Sequence, residues 1–297
     1  MMKPVFSAFP IITLSLFLVS CGNTSEDQKT KTSEDTDSGI VANDSSSINL
    51  NEDNATSYNL PSPLQIAFVF KKSGAGFIST LPNHTSNTTK YNTDNYKKAV
   101  NFGVYSADLS YCLFNKKYQE SKEYLKACKD VGSYLGLDKA FESDHMAERF
   151  DKNLSNDDSL VKIVSGVQLK TDVMFEENKQ KHIKVLALTG AWVESLYIAC
   201  EVYTKDKNKK IQTSLLEQLL LSETIVKALK NNQSSEPEMA ALIVSIEKIH
   251  SGFSAIPSVA SAMEKEEEID FNTLTISDAD MKPILEAVKT LRTKMIN

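Results

Sequence analysis

The stretch His182 to Lys205, HIKVLALTGAWVESLYIACEVYTK, decides how this chain folds. Val185, Leu188, Trp192, Leu196, Ala199 and Tyr203 recur at three- and four-residue spacing and stack on one helical face, while Ala187, Ala191, Ile198 and Val202 keep much of the remainder apolar. A helix apolar on nearly every side has to be surrounded. A bilayer would do this, but Lys184, Glu194 and Glu201 interrupt the run, and a charged side chain near the membrane centre costs roughly 2.5 to 3.5 kcal/mol on insertion scales. The stretch is therefore read as the central rod of a water-soluble helical bundle, with the only tryptophan at its middle.

Outward from the rod, the same periodicity recurs in both directions. Ser62-Pro63 reads as an N-cap with proline in the first helical position, opening a short helix to Lys72. Residues 75–91, including LPNHTSNTT, read as a long loop. Thr93 is expected to cap a helix over 94–115 whose face is Val100, Gly103, Val104, Ala107, Tyr111 and Phe114, with Phe102, Leu109 and Leu113 behind. A short turn leads into a helix over 118–134, an antiparallel hairpin, and further helices are expected over 138–153 and 157–178. Beyond the rod come 211–230, with Ile211, Leu215, Leu219, Val226 and Leu229 in register, and 236–253, with Met239, Leu242, Ile246, Ile249 and Phe253 as a stripe. Ser277 caps a last helix with Met281, Leu285, Val288, Leu291 and Met295 facing inward. No segment sustains a period of two. Residues 61–297 are thus expected to be one all-α domain, a bundle of eight or nine helices. Gly103-Val-Tyr105 with Leu109, and Gly190-Ala-Trp192 with Leu196, repeat one pattern, which suggests two related helix-hairpin halves or a close helix crossing.

The amino terminus is of another kind. MMKPVFSAFPIITLSLFLVSC has one basic residue, an apolar run from Ile11 to Val19 and a small residue before a cysteine, the pattern of a signal peptide over 1–20. Leu18-Val19-Ser20-Cys21 resembles the lipobox of bacterial lipoproteins, and the resemblance implies cleavage before Cys21 and lipidation of its thiol, palmitate being one such acyl group. Each buried methylene of an acyl chain contributes roughly 0.8 kcal/mol, so two or more chains anchor durably without a spanning helix. Residues 21–60 hold Ser, Thr, Asn, Asp and Glu with almost nothing to bury, and read as a disordered acidic tether. At coil scaling its reach is about 35 Å. The mature region also resembles uncharacterised all-helical lipoproteins of Bacteroidetes-type bacteria, which implies an all-helical architecture and a location at the cell envelope, on the periplasmic or surface face of the outer membrane. Glu26-Asp27 weakly resembles the acidic signal that such bacteria place after the cysteine for surface display.

The net charge of -6 divides unevenly. Residues 22–60 carry eight acids against Lys29 and Lys31, a net -6; Lys3 adds one positive charge before them, leaving -1 for residues 61–297. A nearly neutral domain with no basic face excludes nucleic acid as a partner. The membrane is reached through lipid on Cys21, and an envelope protein, a peptide or a glycan is the expected partner.

Candidate chemistry is sparse. Cys112 and Cys128 lie on adjacent helices but about 10 Å out of step along them, beyond the ~4.4 to 6.8 Å a disulfide spans. With Cys200 they are expected to be buried apolar residues. Two Glu-x-x-His pairs, Glu142 with His145 and Glu247 with His250, together with Asp108 and Glu194 echo the order of di-iron carboxylate bundles, but Glu247 and His250 point away from the Leu242 stripe. Asp108 and Glu194 draw more interest, as acids on otherwise enclosed helices. With Tyr105, Trp192 and Tyr197 they form a candidate ligand site; the plainer alternatives are that each strip faces water, or that each acid caps a helix or pairs with a cation. No phosphate cradle, Ser/His/Asp signature or zinc spacing is present, so no cofactor is expected. The leading expectation is a non-enzymatic binding module; the alternatives are a metal-binding or other enzyme using Asp108, Glu194 and the histidine pairs, and a small-molecule carrier.

Overall fold

A computed structural model describes residues 60–232, 237–265 and 269–297. The chain divides into two units, Met1–Leu50 and Asn51–Asn297, and every described residue belongs to the second. The signal peptide over 1–20, Cys21 and all but the last residue of the tether lie outside the described residues. Among those residues there are twelve α-helices and no strand, so the domain is all-α.

The boundaries follow local chemistry where a cap is present. Pro63–Lys72 (α1) starts with a capping box: the Gln65 backbone N–H donates to Ser62 Oγ and the Ser62 N–H donates to Gln65 Oε1. Asp278–Ile296 (α12) starts with the same device between Ser277 and Asp280. For Asn95–Phe114 (α2) the cap is Asp94, not Thr93: the Lys97 N–H donates to Asp94 Oδ1 at 2.7 Å, and Thr93 donates to the same carboxylate.

Two long helices form the axis. α2 and Lys181–Lys205 (α7) are buried along almost their whole length, and Trp192 is 2% exposed. α7 has the length and apolarity to span a bilayer, but 83% of its most apolar window is buried inside the domain. The two helices cross at their glycines. A Cβ on Gly103 would lie 1.9 Å from the Ala187 carbonyl oxygen, and one on Gly190 would lie 2.1 Å from that of Val100. Contact this close needs both side chains to be hydrogen. The repeated glycine pattern thus marks one crossing, at which each helix's glycine sits on the other's backbone.

Around the axis pack α1, α12 and Tyr118–Ser133 (α3), with Asp157–Glu177 (α6) laid across α2 and α7. On the far side of α7 stand Lys209–Leu220 (α8), Ser222–Asn231 (α9) and Pro237–Ser254 (α10). The apolar stripe of α10 is buried as expected.

Two expected helices are drawn differently, and one helix is added. The segment 138–153 is two short helices, Asp138–Glu142 (α4) and Met146–Lys152 (α5), joined by a 3₁₀ turn in which His145 takes a left-handed φ of 51°. The kink lets Ala140 and Phe141 on one side and Met146 and Phe150 on the other all be buried, and both helices pack against α6. The segment 211–230 bends at Leu221, and the short helix Pro257–Met263 (α11) was not anticipated. The loop 75–91 ends in a 3₁₀ turn, Thr85–Tyr91.

Candidate functional site

The structure brings the two candidate acids together. α2 supplies Asp108 and α7 supplies Glu194, both 0% exposed, and α12 adds Arg292, a residue the sequence reading had not selected. Arg292 Nε and Nη2 each donate to Glu194 at 2.9 Å, a two-pronged pair; Nη2 also donates to the Leu81 carbonyl at 3.2 Å. The guanidinium lies 4.5 Å from the centre of the Tyr197 ring.

Asp108 Oδ2 accepts the Asn83 backbone N–H at 3.0 Å, while Oδ1 has no donor. Burial raises the Asp108 carboxyl well above the usual range, and the neighbouring Glu194 charge raises it further; Arg292 and the Asn83 N–H oppose both. Burial raises Glu194 as well, against the two bonds from Arg292. Hydrogen bonding between the two acids raises Asp108 and lowers Glu194, which favours the proton on Asp108. With the proton there, one arginine neutralises one carboxylate.

The two acids of the cluster are closed off from solvent. Leu81 and Asn83 cover it, and their segment is tied down by neighbours: Tyr105 donates to the His84 carbonyl at 3.0 Å, Asn83 Nδ2 donates to the Tyr91 hydroxyl at 2.9 Å, and that hydroxyl donates to the Ile296 carbonyl at 3.1 Å. The group is a clamp joining α2, α7, α12 and the loop before α2. Tyr105, Asp108, Glu194 and Tyr197 lie around one buried salt bridge, of which only the edge of Arg292 reaches the surface. Trp192 stands apart, its indole N–H donating to the Gln218 carbonyl at 3.1 Å on α8.

The other candidates are likewise occupied. Glu247 pairs with Lys230 at 2.6 Å, and His250 Nδ1 lies 2.9 Å from Ser222 Oγ. Glu142 and the exposed His145 stand at the α4–α5 kink, Glu142 3.7 Å from Lys129. No group of three or more His, Cys, Asp or Glu side chains comes together among the described residues in a way that could hold a metal ion. Cys112, Cys128 and Cys200 are free and buried, and burial pushes all three thiols up, away from the reactive thiolate.

A different feature is open. Where α6 crosses α2 and α7, the helices leave a cleft of about 60 Å³. Its floor and walls are Phe102, Gly103, Leu125, Cys128, Val164, Val167 and Phe175, and its mouth is set by Ser62, Gln168, Asp172, Lys184 and Leu188. Leu188 belongs to the apolar face of the rod yet is only half-buried. The glycine crossing draws α2 and α7 together, and the rings of Phe102, Phe141 and Phe175, met edge-on at 6.4 Å, hold α6 away from them. One polar atom is stranded there: Gln168 Nε2 is buried without a hydrogen-bond partner. At the mouth, Lys184 reaches Glu176 at 3.3 Å and Asp172 at 3.9 Å. Burial raises the Asp172 carboxyl and Lys184 opposes that. The sequence reading had none of these mouth and wall residues as candidates.

Comparison with protein-family models, with curated proteins and with solved structures found no match to this chain.

Proposed function

We propose that this chain is a lipid-anchored protein of the bacterial cell envelope whose helical domain binds a ligand and does no catalysis. Attachment rests on Leu18-Val19-Ser20-Cys21 behind its apolar run, with residues 22–60 as the tether. Binding without catalysis is supported by how the reactive groups are used. Glu194 is committed to Arg292, Asp108 to the Asn83 backbone, and the three thiols of the domain are buried. The observation that carries the reading is the cleft beneath α6, an apolar recess with a buried amide nitrogen, Gln168 Nε2, that no protein group satisfies. A small apolar molecule suits a space of about 60 Å³ better than an envelope protein, a peptide or a glycan.

Attachment is tested by expressing the full chain in a bacterium with labelled palmitate. The label and an acylated Cys21 at the new amino terminus are expected in the membrane fraction, and Cys21→Ser should release the protein into the soluble fraction. An unmodified Cys21, or a Cys21→Ser chain still held to membranes, refutes the anchor. The binding reading is tested through the cleft, below.

A further inference from the structure

We propose that the cleft between α6 and the α2–α7 pair takes a short linear aliphatic chain that ends in an uncharged polar group, a hydroxyl, an ester or an amide. The inference rests on the binding role given above and supplies its ligand chemistry.

Size comes first. About 60 Å³ is several times the ~10–15 Å³ one water needs, and well under the ~150 Å³ of an apolar cavity that accepts benzene. A short aliphatic chain enters such a space; a ring system or a long chain, each larger than the space, does not. The walls agree, since Phe102, Leu125, Val164, Val167 and Phe175 offer carbon, and the Cys128 thiol stays protonated. The Ser106 hydroxyl is already spent on the Phe102 carbonyl at 2.8 Å, and Thr171 on that of Gln168 at 2.7 Å. Neither asks anything of a ligand.

The head group follows from the mouth. Gln168 presents the one buried polar atom of the lining without a partner, and an amide can turn either its donor or its acceptor toward a ligand. A hydroxyl, ester or amide satisfies it. Charge then separates the alternatives. Lys184 is already shared by Asp172 and Glu176, so the mouth carries one more acid than base. A ligand carboxylate would have to displace those acids from Lys184 and sit beside them. A cationic head would have to compete with Lys184 for those same acids. The uncharged head is what the groups leave room for.

The experiment is calorimetric titration of the mature chain, residues 21–297 with Cys21→Ser so that it carries no acyl chain of its own. The probes are 1-propanol, propanamide and sodium propanoate. The alcohol and the amide are expected to bind one to one, and propanoate at least tenfold more weakly. Val167→Phe fills the cleft and should abolish binding of the alcohol. Gln168→Leu, at a half-buried position that does not endanger folding, should weaken the alcohol and the amide about threefold to tenfold, the worth of one hydrogen bond. Asp172→Asn with Glu176→Gln should strengthen propanoate at least threefold and leave the alcohol unchanged. Propanoate binding as tightly as the alcohol overturns the uncharged head group while the cleft remains a ligand site. Alcohol binding untouched by both Val167→Phe and Gln168→Leu places the ligand elsewhere and overturns the proposal. If none of the probes binds, the cleft as binding site falls with it.

Discussion

Replacing Arg292 with methionine keeps most of the side chain's carbon and removes its charge, leaving Glu194 buried at 0% exposure with no cation. The carboxylate then has to take up a proton to stay buried. For a glutamate with an ordinary pKa of about 4.3, holding a proton at pH 7 costs about 1.36 kcal/mol per unit over about 2.7 units, or roughly 3.7 kcal/mol. That agrees with the ~3 to 5 kcal/mol that removing one partner of a buried pair generally costs. The pH dependence has a definite sign. In the variant the folded state keeps the Glu194 proton and the unfolded state releases it above about pH 4.3, so stability falls as pH rises through this range. Relative to the natural chain, the loss should shrink by about 2.7 kcal/mol between pH 7 and pH 5. Urea unfolding followed by circular dichroism and by Trp192 fluorescence measures both numbers. A loss under about 1 kcal/mol, or the same loss at both pH values, would refute the assignment of Arg292 as the counter-charge of a buried carboxylate.

Three further outcomes follow from the same structure. Asp108→Asn mimics the protonated acid, so it should be at least as stable as the natural chain at pH 8; the natural chain, whose Asp108 carboxyl is raised in the fold, should lose stability as pH climbs above about 4, and denaturation at pH 5 and pH 8 shows whether the variant loses less. Gly103→Ala puts a methyl group 1.9 Å from a carbonyl oxygen and should cost ~3 kcal/mol or more by forcing α2 from α7, whereas Gly166→Ala, with nothing within 4 Å, should gain about 0.5 to 1 kcal/mol; thermal melting compares the two. In a Cys21→Ser chain a thiol reagent should leave Cys112, Cys128 and Cys200 unmodified in native buffer and label all three in urea, as counted by mass spectrometry.

Several of these groups left a trace in the sequence and several left none. Asp108 and Glu194 stand out because each interrupts a helix that is otherwise apolar, and burial makes a lone acid on such a helix expensive. Their partner was passed over although a signal existed. Arg292 lies four residues after Val288 and three before Met295, both inward-facing, which puts it on the buried side of α12; a basic residue near a helix end is ordinarily read as solvated. The cleft left no trace, because its walls are the apolar residues that any core uses. Only the distance at which α6 is held from the α2–α7 pair turns Val164, Val167 and Leu188 from core positions into the sides of an opening.

What the sequence determined by itself is the all-α character of the described residues, the caps at Ser62 and Ser277, and the enclosure of the rod around Trp192. These depend on neighbours within a few residues, whose geometry repeats every 3.6 positions. Tertiary structure decided that two glycines 87 positions apart meet, that an arginine from the last helix neutralises an acid of the seventh, and that 138–153 and 211–230 break. Those outcomes depend on which surfaces face one another once the helices pack, and no local periodicity carries that information.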